Sequence, residues 1–214
     1  MTVPTPSQRE PLPAAGPPWW LVIGPGFAAL IGLFLLTVIY RFDGSSALQV
    51  ELDMSSQSLL LSGLVAYLGA AAIAFPAGLL LGARFPTSVT VAALFLMLLG
   101  VVLIAFVPHS GLFLVGRVFN GFGAGAAIGV TAAVIRRLRS GRGAAIGAAA
   151  GVGVLALAIA PLLGGLLSDA LSFRLVYVVA ALFVVLALVV TGVVGIVALT
   201  KKPPVRPMPY PPQA

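Results

Sequence analysis

Six long apolar runs, parted by short polar breaks, constrain this chain more than any other feature of its sequence. They lie near Trp19–Tyr40, Ser56–Leu81, Val89–Val107, Leu112–Ile135, Ala144–Leu167 and Leu175–Leu199. Each is close to the roughly 20 apolar residues that carry a helix across a hydrocarbon core. Backbone in lipid must satisfy its own hydrogen bonds, so the runs predict helices rather than open strands. Composition agrees: of 214 residues, 60% are hydrophobic and only 8% charged, too little polar surface to keep a soluble domain of this size in water. The expected fold is an all-α integral membrane protein, a six-helix bundle over residues 19–199. A Pro-rich, disordered segment is expected over 1–18, too long before its apolar run for a simple signal peptide, and a basic Pro-rich tail over 200–214. Gly24, Pro25, Gly26, Pro76 and Pro161 fall inside spans, where they predict kinks.

Charge placement predicts orientation. With the N-terminus inside, that side holds Arg9, Arg84, Arg136, Arg137, Arg139, Arg142, Lys201, Lys202 and Arg206, and the other side only Arg41 and Arg174. Basic residues concentrate on the cytoplasmic side of short loops, so both termini are expected in the cytoplasm and the protein in the plasma membrane. The net charge of +7 therefore reads as topology and contact with anionic lipid. No basic and aromatic residues interleave in a soluble segment, so nucleic acid is not an expected partner. Trp19 and Trp20 stand where an interfacial aromatic belt would place them.

The polar inventory excludes most chemistry. Cys is absent and His109 is the one histidine, so neither a metal cluster nor a thiolate site can be assembled; no cofactor is expected. The five acidic residues are Glu10, Asp43, Glu51, Asp53 and Asp169, which leaves every span without a carboxylate. No catalytic triad or carboxylate pair can form, and the chain is not expected to be an enzyme. His109 is expected to be solvated in an outer turn, and Asp169 could pair with Arg174. Gly121, Gly123 and Gly125 superficially match a dinucleotide loop, but no strand precedes them. Gly121, Gly125 and Gly129 recur every fourth residue on the fourth span, as Gly143, Gly147 and Gly151 do on the fifth. Small-residue ridges let helices approach closely in lipid, which predicts an antiparallel pairing of helices four and five.

Several motifs carry a resemblance. The run from Ser55 to Gly63 and on to Tyr67 is similar to the opening of helix two in the major facilitator superfamily. Gly116, Arg117, Asn120, Gly121, Gly123, Gly125 and Ala127 resemble its helix-four motif. Ala156, Ala160, Pro161, Gly164 and Gly165 are similar to the helix-five motif of the drug-efflux antiporters, with Ala in place of two glycines. Phe173, Arg174 and Tyr177 resemble the start of helix six. The chain thus resembles the amino-terminal six-helix half of such a transporter, over about residues 19–199. It departs from the pattern in the gate loop between helices two and three, where Gly78 and Arg84 remain but the acidic partner and the later basic residues are missing.

The resemblance implies a half-size transporter that needs a homodimer or a second membrane protein to enclose a pathway for a small-molecule solute, drug efflux included. The alternative is an accessory or scaffold subunit of a larger membrane complex. Arg117, about two turns or roughly 9 Å inside its span, is the leading candidate for substrate or coupling contact, since an intramembrane charge is costly and by default functional. A second reading has it bonding helix carbonyls and holding helices together. On the first reading, Arg117→Ala abolishes transport and leaves the fold intact. Asn120, one turn on, could bond Arg117 or substrate, or bridge helices. Gln57, Tyr67 and Thr131 are further candidates.

Overall fold

A computed structural model describes residues 18–40, 49, 53–106, 109–170 and 173–200. Both terminal segments, Arg41 and the side chain of Asp169 lie outside the described residues, and with them the terminal-segment expectations and the Asp169–Arg174 pair. A short 3-10 turn, Trp19–Val22, runs into α1 (Ile23–Thr37); then follow α2 (Ser56–Gly82), α3 (Pro86–Phe106), α4 (Ser110–Arg137), α5 (Arg142–Ala170) and α6 (Phe173–Thr200). Among the described residues, six helices are long and apolar enough to span a bilayer, as the six runs predict.

Local chemistry sets the helix ends. Ser55 caps α2, its hydroxyl accepting from the Ser58 N–H at 3.1 Å. His109 is exposed and does the same for α4 through Nδ1, which accepts from the Gly111 N–H at 3.2 Å. Each supplies an acceptor for one of the orphan donors of a helix start. Arg136 and Arg137 close the last turn of α4, where positive charge suits the negative end of the helix dipole. Gly141, at φ +70°, turns the chain into α5 with a left-handed backbone that a Cβ would disfavour. Pro25 falls in the first turn of α1, where its missing N–H costs no helix bond, so the expected kink at Gly24–Gly26 has no cause there.

α4 is the centre of the bundle: 67% of its apolar window is buried, against 11% for α5. Its glycine ridge faces α2. A methyl group on Gly121, Gly125 or Gly129 would strike the carbonyl oxygens of Tyr67, Ala71 and Phe75 respectively. Partners keep the 54-residue offset that also separates Arg117 from Gly63, so the two helices run parallel. α2 answers with its own small residues: Ala70, Ala74, Gly78 and Gly82 are buried, and Gly78 and Gly82 abut Ala126 and Val130. Gly78 is thus helix-packing backbone rather than part of a gate loop.

The predicted pairing of α4 with α5 does not form. Gly143, Gly147 and Gly151 have no neighbour within 4 Å, and α5 packs on α1 and α6, with scarcely any contact to α4. The physical reason is complementarity: a ridge without side chains gains dispersion energy only where the facing helix is also small, and α2 presents that face from Ala70 to Gly82.

α5 is tied to α1 instead. Pro161 lacks an N–H, so the Leu157 carbonyl one turn earlier loses its helix partner. The Thr37 hydroxyl of α1 donates to that carbonyl at 3.3 Å. One turn beyond Pro161, Gly164 is buried against the Val38 backbone, and Ala160 is fully buried beside it.

Candidate functional site

Arg117 is fully buried, and its guanidinium joins three helices. Nε donates to the Gly63 carbonyl of α2 at 3.2 Å, while the two terminal nitrogens donate to the carbonyls of Leu35 at 2.7 Å and Leu36 at 3.0 Å. The last two belong to the C-terminal turn of α1, where carbonyls have no partner within the helix and the dipole is negative. The Tyr67 ring stacks on the guanidinium at 4.5 Å and that of Tyr40 stands at 5.9 Å. Tyr67 in turn donates from its hydroxyl to the Gly32 carbonyl at 2.5 Å. Among the described residues this buried cation is thus stabilised by three carbonyl dipoles and aromatic faces rather than by a carboxylate.

This geometry favours the second reading of Arg117. It holds α1, α2 and α4 together, and its forked donors are directed into backbone. Arg117→Ala would take the donor from the Leu35 and Leu36 carbonyls at the end of α1, whereas the Gly63 carbonyl lies inside α2 and keeps its helix bond, so the substitution is expected to weaken the fold rather than leave it intact. Tyr67 belongs to the same clamp.

Asn120 is fully buried on α4 against Gly100 of α3. Among the described residues neither its Oδ1 nor its Nδ2 has a hydrogen-bond partner, so the expected bond to Arg117 or across helices is not made there. The hydroxyls of Tyr40, Tyr177 and Thr191 are likewise buried without partners among the described residues. Gln57 is exposed in the first turn of α2 and Arg84 is exposed after its end. The structure brings neither to Arg117.

A separate feature lies at the other end of α4. A groove of about 850 Å³ runs between the first half of α1, the last turns of α4 and the first half of α5. It exists because α5 leans on α1 and α6 and leaves α4 uncovered. Phe27, Leu30, Ile128, Ile135, Ile146 and Val152 give its wall an apolar character; the polar side chains are Thr131, Ser140 and Arg136. The Thr131 hydroxyl donates to the Ala127 carbonyl at 2.8 Å, so it is satisfied within its own helix. Of the candidates read from sequence, Thr131 alone lines the groove. Arg117 precedes Ile128 by eleven residues, roughly 16 Å along the helix. Sequence reading missed this groove: its α5 wall is Ala145, Ile146, Ala148, Ala149 and Val152, which carry no motif, rather than the ridge of Gly143, Gly147 and Gly151.

Among the described residues no group of three or more His, Cys, Asp or Glu could hold a metal ion. A family model described as Major Facilitator Superfamily matches residues 26–213. No curated protein matches the chain.

Proposed function

The chain belongs to the major facilitator superfamily, and from that premise we propose that its groove is one wall of a solute pathway whose opposite wall comes from a second membrane-embedded unit. Membership makes it a multi-pass membrane transport protein. Transporters of this architecture hold substrate between two helix bundles that rock about the site. The observation that supports the proposal is the 850 Å³ groove, within the roughly 300–1,000 Å³ typical of small-molecule sites and open along α5. A second copy of this chain is the simplest source of the opposing wall. The helix-five resemblance around Ala156, Ala160, Pro161, Gly164 and Gly165 favours export of amphipathic compounds, with the basic loop Arg136–Arg142 on the cytoplasmic face of the plasma membrane.

Reconstitution tests this. In liposomes the protein is expected to move a lipophilic dye above the rate of empty vesicles, as a species that photobleaches in two steps. Ala149→Trp, which fills the groove from α5, is expected to stop the flux without changing that stoichiometry. A protein that bleaches in one step and moves no solute sinks the reading. One observation favours a scaffold in that case: Arg117, the single charge inside a span, is directed into backbone carbonyls.

A further inference from the structure

The groove has a sign. Among the described residues its one charged lining residue is Arg136, at the end where α4 runs out, and no acidic residue occurs anywhere from Met54 to Ser168. A cation lying along the described wall would meet no counter-charge, while an anion at the Arg136 end would meet one. The remainder of the wall is apolar on three helices. Along the Trp19–Val22 turn and α1 it runs from Trp19 to Leu33, roughly 20 Å by helix rise, long and narrow rather than suited to a compact polar solute.

We propose that the groove binds a single-chain amphipathic anion, its alkyl chain along α1 and α5 and its head group at Arg136. The proposal deepens the transport reading, since it names the class of solute that this same groove takes. Two contributions recognise it: removal of the alkyl chain from water scales with the apolar area covered, and the head group gains a charge-assisted hydrogen bond to a guanidinium. Arg136 is exposed, so the head keeps part of its hydration and the charge is not stranded in lipid.

Trp19 lines the groove and is 70% exposed, which makes it a reporter. In Trp20→Phe protein, in phosphatidylcholine nanodiscs, a brominated dodecanoate is expected to quench Trp19 saturably. Half-saturation should come several-fold below that of a brominated dodecyltrimethylammonium of equal chain length. Arg136→Gln should raise the dodecanoate value several-fold; Arg139→Gln, on the adjacent exposed loop, should not; Arg136→Lys should largely restore it. Quenching that rises only linearly, equal or tighter response to the ammonium, or equal effects of the two Gln variants overturns the proposal. Including lysophosphatidylglycerol in the discs separates the sources: competition with dodecanoate assigns the site to a single-chain anionic lipid, and its absence to a free amphiphile, whereas competition by two-chain phosphatidylglycerol overturns the single-chain assignment. Saturable anion binding with no flux in liposomes sinks the transport reading alone. Flux without anion preference sinks only the present proposal.

Discussion

A single guanidinium shows how a charge can be carried through lipid without an acid. Arg117 was conspicuous in sequence as the one charge within a span, but its partners were not, because they are backbone carbonyls 81 and 82 residues earlier and backbone has no sequence signature. Removing the side chain leaves the Leu35 and Leu36 carbonyls unpaired, each worth about 1–3 kcal/mol. Arg117→Ala is therefore expected to lower stability in mild detergent by at least about 2 kcal/mol, and Arg117→Lys to recover little, since an ammonium lacks the planar fork that reaches these carbonyls together. Wild-type melting of Arg117→Ala would return the residue to a functional role. Asn120 makes the opposite prediction. Its amide is buried and unpaired, so Asn120→Ala should change stability by no more than about 1 kcal/mol, because the lost packing is offset by relief of an unsatisfied group. A loss above about 2 kcal/mol would reveal a partner for the amide.

Between helices, the glycines that look alike in sequence part ways. Gly125 lies against the Ala71 backbone, whereas Gly147 faces open space. Gly125→Leu should force α2 and α4 apart and sharply reduce the folded yield. Gly147→Leu should stay within about 0.5 kcal/mol of wild type, as surface changes do. Equal effects would restore the pairing of α4 with α5. The Pro161 kink permits a finer test by double-mutant cycle. Thr37→Val removes the hydroxyl that serves the Leu157 carbonyl and should cost about 1 kcal/mol. In a Pro161→Ala background residue 161 regains its N–H and reclaims that carbonyl, so Thr37→Val should then cost clearly less. Strict additivity of the two changes would show that the hydroxyl does not serve the freed carbonyl.

At the scale of the molecule, the distribution of ionisable groups limits how transport could be driven. Proton relays in membranes use buried carboxylates or histidines, and the sequence has no Asp or Glu from Met54 to Ser168, while its histidine is an exposed helix cap. Flux in liposomes of a solute that does not itself titrate is accordingly expected to follow the solute's own gradient and to be unchanged by an imposed pH gradient. Acceleration by a pH step would place the coupling group in the opposing wall of the pathway. The exposed faces of α5 and α2, 11% and 22% buried in their apolar windows, are where that wall has room to pack.

Helix number, length and approximate ends were legible from the sequence because a bilayer allows backbone few other solutions, and an apolar run of fixed length reports it directly. The motifs around Arg117 and Pro161 were legible for the same reason: a charge or a proline stands out against an apolar background. Which helix each small-residue ridge chose was decided only by the tertiary structure. Glycines mark where backbone can come close but not whose backbone arrives. That choice rested on α2 carrying the complementary ridge of Ala70, Ala74, Gly78 and Gly82.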